Sequence, residues 1–409
     1  MAADTTTINE DRQFPFWRRN LKVLPFSNLL ASLGFGIGWP FLPLMVRALG
    51  VEENLATWVG HMVLGFYIVS LVTTPIWGSI ADHYGRKINV LRATLGMGLC
   101  FSMVPFAPTP LIFASLLLLV GVFNGSTAAA MALLVANTPP RRIGSALSLS
   151  QTGTLVGQTM GPAVGAVLAA VVSHYHWLFW ISGVLMLLGG ALVGALVREV
   201  KQLAPGRWRL RWLGPLRELL VVPRLGRLYL LGFLFSMMWS GNVTVMSIYV
   251  LDLLPGDMPG SSIEAYWVGA CAVALGVSGF VAMPLWGRVL DRRDPARVLA
   301  FAAAAAVVTH LPLLFLQTPL QLVVSRVAFG LSAAAMPTAI VRLVKENAPP
   351  GMDARAISYG QSFQFMAMGL APFVAGLVGP AFGLRTYFAM TIVLMAGGLV
   401  LWLKSTKRT

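Results

Sequence analysis

Twelve stretches of mostly apolar residues, each about 20 residues or longer, run the length of the chain: 24–47, 56–80, 88–107, 109–136, 144–170, 177–197, 228–251, 263–288, 298–316, 319–342, 356–380 and 384–403. A soluble fold has nowhere to bury that much apolar surface. Of the 409 residues 57% are hydrophobic and 11% charged, and the mean hydropathy is +0.75. Soluble domains carry roughly 25% charged residues. The runs are too long and too uniformly apolar for the alternating strands of a membrane β-barrel. The expected fold is all-α and membrane-embedded, with twelve transmembrane helices. Internal Gly and Pro suit such a bundle, where neighbouring helices satisfy the freed backbone groups.

The net charge of +15 is a matter of placement. With the N-terminus inside, cytoplasmic segments hold 27 of the 30 Lys and Arg, leaving Arg47, Arg326 and Arg385. This positive-inside bias fixes topology without a polyanionic partner, so no nucleic acid is expected. The chain divides into a cytoplasmic segment 1–23, a six-helix half 24–197, a basic linker 198–227, a second half 228–403 and a tail 404–409. The linker alternates Arg with Trp208 and Trp212, which reads either as a helix lying on the inner leaflet or as a plain basic connection. Cys100 and Cys271 fall inside spans and imply no disulfide framework. Residues 1–22 are charged and the first apolar run is too long for a cleaved signal. That run is expected to stay as the first helix, in a cell inner (plasma) membrane with both termini cytoplasmic.

The halves repeat. "PIWGSIAD" from Pro75 returns as "PLWGRVLD" from Pro284, an offset of 209. Pro139, Pro140, Ala146, Ser148, Gln151 and Pro162 recur as Pro349, Pro350, Ala356, Ser358, Gln361 and Pro372, an offset of 210. Internal six-span repeats mark secondary transporters, whose substrate site lies near the midplane.

Three phrases carry a family resemblance. "GSIADHYGRK" (Gly78–Lys87) resembles the loop 2–3 motif G-x-x-x-D-x-x-G-R-K of the major facilitator superfamily. "GQTMGPAVG" (Gly157–Gly165) resembles the helix-five motif of its antiporters, and "GWPFLPLMVRALGV" (Gly38–Val51) their first helix. The combination is most similar to the twelve-span drug:proton antiporter branch, which includes bacterial multidrug exporters. The resemblance implies two pseudo-symmetric six-helix bundles that alternate access to a central site. It also implies a small amphipathic substrate, a proton gradient in place of any cofactor, and a monomer in contact with membrane lipid. Three positions depart from the pattern. The helix-four Arg is replaced by Gly121, four residues before Gly125; the second half has Arg326 before Gly330 instead; and Asp294 stands where Gly85 predicts a Gly.

Alternating states need contacts that only one of them makes. Asp82 is a candidate for such a gate, pairing with Arg86 or Lys87 and facing a helix N-terminus. Gly78 and Gly85 allow close approach and a tight turn beside it, and Asp291 is its counterpart in the second half. On helix five, Gly157, Gly161, Pro162 and Gly165 form a small-residue face, read either as a pivot or seal between the halves or as tight packing. None of the 15 acids lies deep in a span. Proton coupling then falls to an acid at a helix end or a His, with Asp252 and Glu264 at outer ends the first candidates, or transport is not coupled to protons. His310 reads as a packing residue. Arg326 either meets an anionic substrate group or bonds helix carbonyls within the second half. No metal-ligand spacing is present.

Helices 1, 4, 7 and 10, flanked by 2, 5, 8 and 11, are the expected cavity walls. They carry Phe35, Trp39, Phe66, Asn124, Gln151 and Gln158, then Met237, Met238, Trp239, Asn242, Gln361 and Gln364. Aromatics, Met and a few amides suit an amphipathic ligand, and an amide facing lipid is costly. The leading function is export of hydrophobic or amphipathic small molecules. The alternatives are a lipid or lysolipid translocator, a small-metabolite facilitator on the same fold, and a polytopic membrane enzyme. For an enzyme the chain offers no catalytic carboxylate pair and no nucleotide loop.

Overall fold

A computed structural model describes residues 14–172, 174–200, 222–254, 261–349 and 352–406. The linker around Trp208 and Trp212, read as either a surface helix or a plain connection, falls outside that set. The described residues contain helices and no strand. The first six are α1 (Trp17–Ala48), α2 (Leu55–Tyr84), α3 (Arg86–Ser102), α4 (Pro110–Ala136), α5 (Ile143–Val171) and α6 (His176–Leu196). The others are α7 (Arg224–Leu253), α8 (Ser261–Arg292), α9 (Pro295–His310), α10 (Pro319–Asn347), α11 (Asp353–Phe382) and α12 (Leu384–Thr406). Eleven are long and apolar enough to cross a membrane; α5, with 29 residues, is the twelfth.

The first helix starts at Trp17 rather than at residue 24. Hydropathy registers only the lipid-buried part, whereas the helix continues through the interface on Arg–aromatic contacts. Arg18 and Arg142 lie 5.4 and 5.3 Å from the Trp17 ring, and Arg19 lies 5.6 Å from Phe16. The repeat extends to the caps. Thr109 and Thr318, again 209 apart, each precede a proline at N1 and accept an N–H, from Ile112 at 3.3 Å and Gln321 at 3.4 Å.

The described residues form two compact units. One takes in α1 to Trp39, Val69–Leu168 and the chain from Val172 through α6; the other takes Pro40–Ile68, Ala169–Val171 and α7 onward. In the first, Leu24, Val90, Ala130, Leu133, Leu134 and Val193 make a buried core. Its α5 lies directly against α1. A Cβ on Gly153, Gly157 or Gly161 would come within 2.5 to 2.7 Å of the backbone of Pro25, Leu29 and Gly36, so these helices touch through their main chains. In the second, Leu228, Leu231, Ala303, Ala306, Phe329 and Trp402 are fully buried among α7, α9, α10 and α12. Residues 40–68 belong here although they come from the first half of the sequence. Cys100 and Cys271 are buried and free.

Candidate functional site

Helices α1, α4, α7 and α10 are all interrupted within the span. In α1 a 3-10 turn covers Trp39–Phe41, and in α7 a π-turn covers Gly241–Val245. The α4 helix stops at Phe123 and restarts at Ser126, with Gly125 at φ +107°, a value that favours glycine. The α10 helix breaks between Ala333 and Ala335. Interrupted helices expose backbone groups that ligands or side chains then satisfy.

Side chains from α2 and α3 cover the α4 break. The Gly121 carbonyl accepts from the Ser70 and Thr73 hydroxyls, each at 3.3 Å. The Val122 carbonyl accepts from Trp77 Nε1 at 2.8 Å and Arg92 Nη1 at 3.1 Å. The Arg92 guanidinium also lies 4.1 Å from the Trp77 ring. Asn124 donates to Ser70 Oγ at 3.2 Å and accepts from the Gly125 N–H. At the α10 break, Trp286 Nε1 donates to the Leu331 carbonyl at 2.8 Å, and Phe301 packs beside the indole. Trp77 and Trp286, Val122 and Leu331, and Arg92 and Phe301 are all 209 residues apart. The repeated phrase therefore encodes an indole that braces a broken helix in each half.

At one end of the first unit, Gly85 alone joins α2 to α3, at φ +115°, as the expected tight turn requires. The Glu199 carboxylate, from the chain leaving α6, accepts two of the free N–H groups that open α3: Arg86 N at 2.8 Å and Lys87 N at 3.0 Å. Lys87 Nζ donates to the Gly194 carbonyl at 2.8 Å and Arg86 Nη1 to the Ala132 carbonyl at 3.3 Å. Asn20 and Asn137 bond the backbone of Arg198 and Val200 alongside. The side chain of Asp82 lies outside the described residues, although its backbone is in the last turn of α2. Nothing lies within 4 Å of a Cβ built on Gly78, so no close approach occurs there in this structure. In the second unit Asp291 is exposed, and Arg342 Nη1 holds the adjacent Leu290 carbonyl at 2.8 Å. Asp294 caps α9 itself, accepting from Ala296 N at 3.0 Å. Its departure from Gly is thereby explained: α3 borrows its cap from Glu199, whereas α9 carries its own.

At one end of the second unit, Glu264 forms an ion pair with Arg47 at 2.8 Å. Thr57 Oγ1 donates to the Gly376 carbonyl at 2.6 Å, and Ser247 Oγ to that of Pro40 at 2.6 Å. Glycines let α2 and α11 meet. Cβ atoms on Gly60, Gly369 and Gly376 would come within 2.6 to 2.7 Å of Pro372, Tyr67 and Ala56. Asp252 is exposed near the end of α7.

The expected wall residues divide by exposure. Phe35 stacks on Trp39, with ring centroids 4.6 Å apart. Trp39, Phe66, Met237 and Met238 are buried and act as packing residues. Gln151 and Gln158 are exposed on one face of α5, and Gln361 on α11. Gln364 is half-buried against Gly232, and Trp239 lies between Phe235 and Phe329. Pro162 and Gly165 are buried with the rest of the helix-five face, which rests on α1 through Gly157 and Gly161. Asn242, His310 and Arg326 are each at most 3% exposed, inside the second unit.

The sequence profile of the Major Facilitator Superfamily matches residues 24–281 and 259–409. The chain belongs to this superfamily. Within it, the chain is similar to proteins named "Multidrug resistance protein MdtG". That of Yersinia enterocolitica serotype O:8 is 30% identical over 387 residues, 93% of this chain and 91% of that protein. That of Rahnella sp. is 31% identical over 392 residues, 94% and 93%. Among solved structures, a bacterial homolog of the human lysosomal transporter Spinster, inward-facing and occupied, matches with a TM-score of 0.78 at 13% identity, covering 96% of this chain and 97% of that one. The nucleoside transporter NupG matches at 0.77 and 14%, covering 95% and 99%. Both share the superfamily fold.

For this superfamily member, reading the sequence overlooked Trp77, Trp286 and Glu199. The two tryptophans were signalled by their recurrence inside the repeated phrase. Glu199 lies 113 residues from the N–H it caps, and no local pattern announces it.

Proposed function

We propose that this chain is a secondary exporter of hydrophobic and amphipathic small molecules, working by alternating access and driven by proton antiport. The interruption of α1, α4, α7 and α10 at mid-span carries the reading, because broken helices are where transporters of this construction place substrate. The name of its MdtG relatives, similar along more than nine-tenths of the chain, supports efflux of drugs. Gln151, Gln158 and Gln361, exposed amides on membrane helices, are suited to a watery path and not to lipid. In this reading the protein does no covalent chemistry on its cargo, needs no cofactor, acts as a monomer and keeps both termini in the cytoplasm, with Asp82 on the inner gate.

The outer contacts of residues 40–68 serve as the seal on the opposite side, with Glu264 as a clasp for Arg47. An exposed ion pair contributes about 0.2–1 kcal/mol. Arg47→Ala is therefore expected to shift the seal by a factor of about 1.4 to 5, read as faster labelling of an Ala56→Cys variant from outside. An unchanged labelling rate would remove Glu264 from the seal. The function itself is tested in proteoliposomes with an imposed pH gradient, across a panel of dyes and labelled lipids. Dye movement that follows the gradient is expected. Dye movement indifferent to it removes proton antiport, and lipid movement without dye movement selects the translocator.

A further inference from the structure

Arg326 sits on α10 two turns in from Pro319 and is 1% exposed. A buried guanidinium normally has its donors bonded, because leaving them bare forfeits a large solvation energy. Here Nε, Nη1 and Nη2 have no hydrogen-bond partner among the described residues. The alternative read from the sequence, that Arg326 bonds helix carbonyls, has no bond to support it.

Two more buried groups with open valences are linked to it: His310 feels the Arg326 charge, and Asn242 is bonded to His310. Asn242, in the π-turn of α7, donates from Nδ2 to the Met238 carbonyl at 2.7 Å. That carbonyl can only accept, so it fixes which end of the amide is nitrogen. The same NH2 group reaches His310 Nε2 at 3.1 Å. His310 Nε2 must then be the acceptor, and the proton of the neutral ring sits on Nδ1. Both His310 Nδ1 and Asn242 Oδ1 are buried without a partner. His310 packs on Phe329, with ring centroids 4.7 Å apart. Cys271 and Tyr249 interact with the Arg326 charge, and among the described residues no carboxylate forms an ion pair with it. Tyr249 is already committed, donating to the Leu313 carbonyl at 2.8 Å.

The unmatched inventory is thus three guanidinium nitrogens and one imidazole N–H as donors, with one amide oxygen as acceptor. We propose that Arg326, His310 and Asn242 form a recognition site for an acidic headgroup, a carboxylate or a phosphate ester, on an otherwise apolar compound. The guanidinium fork and the His310 Nδ1–H bond the anionic oxygens, a strong pairing where water is excluded. Asn242 Oδ1 accepts from a hydroxyl or amide of the same ligand. The site joins the π-turn of α7, the last residue of α9 and a point two turns into α10. This deepens the exporter reading and rests on it for the claim that the ligand is cargo, while the binding claim stands alone.

The probes are 1-pyrenebutyrate and 1-pyrenebutanol, which share one hydrophobe and differ in the headgroup. Binding to purified protein in neutral detergent is followed by pyrene fluorescence, and export is measured in proteoliposomes. The wild type is expected to prefer the carboxylate. In Arg326→Gln the affinity ratio of butyrate to butanol should fall roughly ten- to hundred-fold, the value of one or more charge-assisted hydrogen bonds. Arg326→Lys, which keeps charge without the fork, should recover part of it. A monodisperse elution profile and retained pyrenebutanol binding in Arg326→Gln guard against misfolding. An unchanged ratio in Arg326→Gln overturns the proposal. Binding of butyrate no tighter than butanol by the wild type also overturns it. Headgroup-selective binding without export keeps the site and sinks the exporter reading. Export of other dyes with no headgroup selectivity does the reverse. A phosphatidic acid vesicle arm distinguishes lipid phosphate from free cargo: competition by that lipid against pyrenebutyrate assigns the site to a headgroup in the bilayer, and its absence to a free amphiphile.

Discussion

Gly60→Val is expected to stop transport while leaving a folded protein in the membrane. A Cβ at Gly60 would sit 2.6 Å from the Pro372 carbonyl oxygen and 2.9 Å from Phe373 Cα. Both are main-chain atoms of α11, and neither can swing aside as a flexible side chain does. Overpacking of this kind costs typically 1–3 kcal/mol. The contact joins α2 to α11, two helices from opposite halves of the sequence, so in an alternating transporter it exists in one state and not in the other. The cost then falls on the sealed state alone. About 3 kcal/mol moves a two-state equilibrium roughly 150-fold, enough to hold the protein unsealed. Transport in proteoliposomes should fall by about fivefold or more across that range, and the Ala56→Cys labelling rate should rise in parallel. Loss of transport with no change in labelling would show that α2 and α11 do not form the seal. Gly397→Ala, on α12, is the internal control for sterics, since nothing lies within 4 Å of a Cβ built there.

Glu199→Ala is expected to lower stability by about 2 kcal/mol. The carboxylate bonds two N–H groups at the positive end of α3, at 2.8 and 3.0 Å, and alanine leaves both donors without it. Glu199→Gln keeps an acceptor but loses the charge, so it should sit between alanine and wild type. Asp294→Ala removes a single self-supplied cap bond at the corresponding place in the second half and should cost about 1 kcal/mol. Thermal unfolding in one detergent orders the three variants. Equal effects from Glu199→Ala and Asp294→Ala would mean that the borrowed cap contributes no more than the local one.

What was legible in the sequence was whatever it states locally or states twice. The spans follow from apolar length, whereas the Thr–Pro caps of α4 and α10 and the α4 break at Asn124–Gly125 carry local signs that went unread. The α7 interruption gives no such sign. Gly241 has ordinary helical dihedrals, and its need for glycine comes from the Tyr387 hydroxyl, which would lie 2.5 Å from a Cβ. Arg326 stood out as a charge inside a span, but whether its donors were bonded depended on α7, α8 and α9 packed around it. The gate motif was visible as a phrase, yet its basic residues bond carbonyls of α4 and α6 that no spacing rule connects to it.

The borrowed cap also bears on where this polypeptide tolerates being cut. If the chain is produced as two co-expressed fragments, a break before residue 197 strands Glu199 on the wrong piece. The first fragment then lacks the carboxylate for α3 and the backbone that Asn20 and Asn137 hold. A break after residue 200 leaves the first piece with every one of those bonds. Complementation between fragments should therefore succeed with the later cut and fail with the earlier one, although the two sites differ by only a few residues and neither removes any part of a membrane-spanning helix.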